Sequence, residues 1–155
     1  MIISFCGHKN FSSTEELENK IQLLLEKLVG EKTVTFYLGG YGNFDAFACS
    51  CAKRYQQSHS EAILAFVTPY RNEEYQKTRV FKKEYDIVIF PPIENVPPKF
   101  AIFARNKWMV EQADIVIASV DHDWGGAYAT YLHAKRKNKV IFNLAEDDDS
   151  RTNFL

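Results

Sequence analysis

Short apolar runs of strand length alternate with stretches of helical period along this chain, and that alternation most restricts what it can fold into. Ile2 to Cys6, Thr33 to Leu38, Ala62 to Val67, Asp86 to Phe90, Asp114 to Ala118 and Lys139 to Leu144 read as strands. They are short, rich in β-branched and aromatic residues, and bounded by glycine, proline or polar turns. Leu17, Ile21, Leu24, Leu25 and Leu28 recur at helical intervals behind the hydroxyls of Ser12, Ser13 and Thr14. Ser13 and Glu16 have capping-box spacing, and Gly30 is a natural stop. Further helices are predicted from about Asn43 to Ser58, from Pro97-Pro98 to about Ala113, and from Gly126 to Asn138. Arg71 to Lys83 is polar and reads as either a short helix or an ordered loop.

Strands that alternate with helices imply a parallel sheet covered on both faces. The expected fold class is α/β: a Rossmann-like doubly wound sheet of five or six mainly parallel strands. With 155 residues the chain suits one domain, 1–145, followed by an acidic tail, 146–155.

A net charge of −1 gives no electrostatic case for nucleic acid or an anionic membrane as partner. The apolar segments are too short to span a bilayer, and Met1 to Gly7 has no basic leader, so neither an anchor nor a signal peptide is expected. Cys6, Cys49 and Cys51 are too few and oddly numbered for a disulfide framework, which points to a reducing cytoplasm.

In such a sheet the turns at the carboxyl ends of the strands form the ligand edge. Here they are Gly7-His8-Lys9, Gly39 to Asp45, Pro69-Tyr70 and Gly125 to Thr130. The last is the best candidate. Gly125-Gly126 follows a buried strand and opens a helix, so backbone N–H groups can approach an anion, and Thr130 stands one turn in. Arg105 supplies a cation for phosphate or carboxylate, unless it pairs with Glu111 or Asp114. Asp114 itself reads as the start of a strand.

Gly40-Tyr41-Gly42-Asn43-Phe44-Asp45 begins like a dinucleotide fingerprint, but its third glycine is Asp45, and no acid follows the third strand. It is either a turn that touches ligand, with Asp45 on sugar hydroxyls, or a glycine turn with Asn43 as helix cap. His8, His59, His122 and His133 with the cysteines match no metal-ligand spacing, and no metal is expected. Asp121, His122 and Asp123 could hold a hydrated cation, and loop polarity explains them equally. Phe100-Ala101-Ile102-Phe103 beside Trp108 is either a homodimer face or ordinary core.

Taken together, Gly7-His8-Lys9, Gly39-Gly40-x-Gly42-x-x-Asp45, Pro69-Tyr70, the run from Arg105 to Ala118 and Gly125-Gly126-x-x-x-Thr130 resemble the SLOG superfamily, and within it the small YpsA-like proteins. That superfamily includes DprA and the Lonely Guy phosphoribohydrolases. The resemblance spans nearly the whole chain. It implies a nucleotide-binding domain whose ligand is a nucleotide or nucleotide derivative, with the phosphate on the second glycine motif. Lonely Guy enzymes carry Pro-Gly-Gly-x-Gly-Thr-x-x-Glu. The matching run here keeps both glycines and Thr130, has Ala129 for the third glycine, and has His133 for the catalytic glutamate. Arg105 falls where those enzymes have their arginine.

The first expectation is therefore a binding or sensor domain for a small nucleotide-like molecule, with no certain cofactor. Its site would be lined by Gly7, His8, Gly39, Gly40, Asp45, Pro69, Tyr70, Arg105, Gly125, Gly126 and Thr130. The second is an N-glycosidase or deoxyribosyltransferase-like enzyme, in which Asp45 and Arg105 are the catalytic candidates. A glycosidic cleavage wants a carboxylate beside the oxocarbenium-like sugar, and His133 cannot supply that charge. The third is a subunit whose main role is association.

Overall fold

A computed structural model describes residues 1–71 and 84–146. The described strands are β1 Ile2–Gly7, β2 Thr35–Leu38, β3 Ile63–Val67, β4 Ile87–Ile89, β5 Ile115–Ser119 and β6 Val140–Asn143. Among them run the helices α1 Glu15–Val29, α2 Asn43–Ser58, α3 Ala101–Gln112 and α4 Gly125–Arg136. All six strands are parallel in one sheet of order β4-β3-β2-β1-β5-β6. The chain builds outward from β1 on one side, then returns to lay β5 on the other. The switch point lies between β1 and β5, where such sheets open a crevice beyond the strand ends.

Alternation along the central strands sets the two layers. Ile3 and Phe5 of β1, with Ile115 and Ile117 of β5, face the core formed by α1 and α2. Cys6, Val116 and Ala118 face the opposite way, onto Val110 of α3 and Tyr131 and Ala134 of α4. The sheet is buried on both faces, which is why its strands read as continuous apolar runs.

Several boundaries differ from the sequence expectation. Thr14, not Ser13, caps α1, accepting from the Leu17 N–H at 3.1 Å. Pro98–Phe100 forms a 3-10 turn before α3 begins. Asn43 does not cap α2; Gly42 holds that position at φ 89°, without a side-chain cap. Asp114 marks the strand start as expected, since its carboxylate accepts the Ile2 N–H at 2.7 Å. The ambiguous 71–83 stretch beyond Arg71, and the tail beyond Glu146, lie outside the described residues. No helix among the described residues is long and apolar enough to cross a membrane.

Candidate functional site

A cleft of about 760 Å³ opens at the switch point, beyond the carboxyl ends of β1 and β5. It collects Gly7, His8, Asp45, Arg105, Gly125, Gly126 and Thr130 from the residues singled out in the sequence. Gly39, Gly40, Pro69 and Tyr70 do not line it. Gly39 lies behind it, because a Cβ there would stand 3.0 Å from both the Arg105 guanidinium and Asp45 Oδ2. Gly40 faces a separate hollow with Cys49 and Lys53. Tyr70 is exposed, and its N–H donates to the Thr68 hydroxyl. The separation is topological: β2 and β3 lie on the far side of β1 from β5, so their turns approach the cleft only from one flank.

The wall built from the second glycine motif is open. At Gly125 and Gly126 an added Cβ would meet nothing within 4 Å. Gly125 has φ +89°, a conformation that excludes most side chains. Trp124 precedes α4 without a side-chain cap hydrogen bond among the described residues, and the first-turn residues Gly125, Gly126 and Ala127 line the cleft. Thr130 is buried, and its hydroxyl donates to Gly126 O at 2.9 Å. It thus fastens the first turn of α4 from within rather than offering its proton to the cleft.

The opposite wall is tied down. Arg105 is 2% exposed; its guanidinium donates to Gly39 O and Val67 O, both at 2.8 Å, and its Nε donates to Asn106 at 2.9 Å. The guanidinium therefore clasps the ends of β2 and β3. It pairs with neither Glu111 nor Asp114, and its charge sits beneath the cleft rather than in the open. Asp45 accepts the Tyr41 N–H at 2.8 Å. Burial pushes the Asp45 carboxyl above the usual range, against the pull of that N–H and of Arg105.

His133, at the glutamate position of the Lonely Guy motif, does not line the cleft; its Nε2 lies 2.7 Å from Glu111 Oε1 across the α3–α4 contact. The aromatic run before α3 splits as well. Ile102 lines the cleft, Phe100 is 51% exposed, and Trp108 stacks on Tyr37 at 5.8 Å.

Sequence reasoning grouped Asp121 and His122 with Asp123 but missed the third member of their cluster, His8. His8, from the turn after β1, stacks on His122, from the turn after β5, with ring centroids 3.4 Å apart. Asp121 Oδ1 lies 2.7 Å from His122 Nδ1 and 3.5 Å from His8 Nε2. Burial, then the neighbouring His122, hold His8 below the usual imidazole range, with Asp121 pulling the other way. The available signal was that two adjacent central strands both end in polar turns carrying histidine.

No protein-family model and no curated protein matches the sequence significantly. Solved structures do match. DNA processing protein A from Streptococcus pneumoniae superposes with a TM-score of 0.61 at 18% identity, over 91% of this chain and 49% of that one. The Helicobacter pylori protein of the same name, described for its single-stranded DNA binding mode, gives 0.58 at 14% identity, over 99% and 71%. This chain shares its fold with these proteins. The molybdenum cofactor carrier protein of Chlamydomonas reinhardtii gives 0.55 at 14% identity, over 99% of this chain and 82% of that one. The chain spans about half of the Streptococcus protein, and identities this low speak for the fold alone.

Proposed function

We propose that the cleft binds a nucleotide or nucleotide-derived ligand in a sensing or regulatory role, with its phosphate on the N-terminus of α4. The observation that carries this reading is the open Gly125-Gly126 corner: free space at both Cα positions, an uncapped helix start, and a location on the cleft wall. Arg105 would contribute a fixed positive charge below the phosphate, and Asp45, on the same cleft, would accept from a sugar hydroxyl. The resemblance of the sequence motifs to the SLOG superfamily supports the same ligand class. Calorimetry with a panel of nucleoside mono-, di- and triphosphates tests it, using wild type and Gly126→Ala. Among the described residues the added methyl meets no other side chain or element within 4 Å, so it should leave the fold intact and weaken binding by about tenfold or more, or at least about 1.4 kcal/mol. Unchanged affinity in Gly126→Ala, or no binding by any member of the panel, would sink the reading. Binding of a single-stranded oligonucleotide in place of the panel would redirect it toward nucleic acid.

A second reading has its own observation. Asp45 is a carboxyl of raised pKa on a cleft wall, the property expected of an acid catalyst. On this account it would serve the cleavage of an N-glycosidic bond in place of the glutamate lost at His133. Incubation with nucleoside monophosphates at high protein concentration should then release free base in wild type and not in Asp45→Asn. Absence of release in wild type removes this alternative and leaves the binding role standing.

A further inference from the structure

The His8, Asp121 and His122 side chains were grouped by no motif, yet one donor atom from each lies within 4.8 Å of the others. We propose that these three residues form a binding site for a divalent ion of the zinc class at the mouth of the cleft, with a coordination position left open to it.

The donor set is two imidazoles and one carboxylate, the combination that suits zinc and its cobalt and nickel neighbours more than magnesium or calcium. With metal–ligand bonds of roughly 2.0–2.2 Å, tetrahedral donors stand about 3.3 Å apart. The 3.5 Å between Asp121 Oδ1 and His8 Nε2 already has that size. The 2.7 Å between Asp121 Oδ1 and His122 Nδ1 is a hydrogen bond, which opens by about half an ångström when an ion replaces the shared proton. The rings now stack nearly parallel, at 11°, so one must swing to bring both lone pairs onto the ion. That movement falls on the turn carrying Asp121, whose side chain is 70% exposed, while the His8 side chain is only 14% exposed.

A second observation points to a ligand independently. Among the described residues His8 Nε2 is buried and makes no hydrogen bond, Asp121 Oδ1 standing at ion-pair distance, 3.5 Å. A buried imidazole nitrogen without a partner is costly, and an ion held jointly with Asp121 would satisfy it. The backbone beneath is fixed in place. β1 and β5 pair in register from Ile3↔Ile115 to Gly7↔Ser119, and the His8 N–H continues the ladder to Ser119 O at 3.4 Å. Asn143 then clamps Val120, accepting its N–H at 3.0 Å and donating to its carbonyl at 2.9 Å. The two donor-bearing turns are thus held side by side by the central sheet. All three residues line the cleft, so water or a ligand oxygen can take the remaining position.

The site stands apart from the nucleotide reading and is tested without a nucleotide. Tag-free protein is titrated with Co2+, followed by its visible d–d absorption, and with Zn2+ in competition and by calorimetry. The expected result is one saturable site, weakened by about tenfold or more in Asp121→Ala and in His122→Ala. His59→Ala should leave it unchanged, since His59 stacks on Tyr55 away from the cluster. His8→Ala is a third variant, read only if its thermal melt matches wild type. Asp121→Ala alters an exposed side chain, so its test survives any folding defect at His8. Absence of saturable binding, or equal affinity in wild type, Asp121→Ala and His122→Ala, overturns the proposal.

Discussion

The two glycine turns of this protein look alike in sequence and differ in what fills them. After β2, the turn Gly39 to Gly42 is packed from inside. A Cβ at Gly39 would press on Arg105 and Asp45, and one at Gly42 would stand 2.8 Å from the Lys9 side chain. After β5, Gly125 and Gly126 face space. Gly39 and Gly42 serve close packing of the protein against itself; Gly125 and Gly126 leave room for something else. A glycine-rich strand-to-helix turn therefore leaves room for a ligand only when the missing Cβ points at a void. Here that criterion separates the halves of the motif set, and the following predictions set one wall of the cleft against the other.

The largest effect is expected at Arg105. Replacing it with Met keeps its length and apolar stem but leaves Gly39 O and Val67 O without their donor in a buried setting. At about 1–3 kcal/mol for each unsatisfied buried acceptor, the loss should reach about 2–6 kcal/mol. Urea unfolding of Arg105→Met against wild type measures it. A loss below about 1 kcal/mol would mean that the clasp across β2 and β3 is incidental, within the range of an ordinary surface change.

Next comes the glycine pair itself. Gly39→Ala places a methyl 3.0 Å from a guanidinium that is pinned at both ends, and should destabilise by about 1–3 kcal/mol. Gly126→Ala meets nothing and replaces a poor helix former, so stability should hold or rise by up to about 1 kcal/mol while ligand affinity falls. Parallel melts and titrations of the two variants check the contrast. Equal stability losses would abolish the distinction between a packed and an open turn.

These contrasts explain what the sequence could disclose. The strand and helix pattern was legible because each period serves burial, and burial on both faces produces unbroken apolar runs such as Ile115 to Ala118. The strand-to-helix junction at Gly125 was legible because a glycine pair after an apolar run commonly opens a helix. Whether Arg105 points into the cleft or clasps strand ends was not, since the same cation serves either role until its acceptors are placed. Strand position alone puts Pro69 and Tyr70 at the edge, and the sequence does not disclose which side of β1 their strand occupies. His8 and His122 lie far apart in sequence, and only the β1–β5 register brings them together.

The pH response sharpens the comparison on the packed wall. Burial holds the Asp45 carboxyl above its ordinary 3.8, with the Tyr41 N–H and Arg105 opposing. The folded state therefore keeps this proton to higher pH than the unfolded chain does. The resulting stability is fully present below the unfolded pKa and is lost as pH rises through the folded one. Asp45→Asn removes that term, so its stability relative to wild type should grow as pH rises from about 3.8 toward neutrality. Denaturation across that window decides the sign. A wild type that gains on the variant as pH rises would show the N–H and Arg105 outweighing burial.

The smallest effect concerns the thiols and leaves stability untouched. Cys6 sits on the cleft floor, yet its Sγ donates to Ala127 O at 3.2 Å, and burial pushes its pKa up to about 12. Burial does the same to Cys51 in the α2 core, again to about 12. Cys49, partly buried, lies in the hollow beside Gly40 and Gly42. Only the thiolate attacks a disulfide reagent, so the order of reaction should follow access and ionisation, with Cys49 first and Cys6 and Cys51 far slower. Timed labelling of the native protein, with the modified cysteine located by peptide mass, reads that order. Early modification of Cys6 would show that the cleft floor opens to solvent, which would weaken the view of β1 and β5 as a rigid base for the site above them.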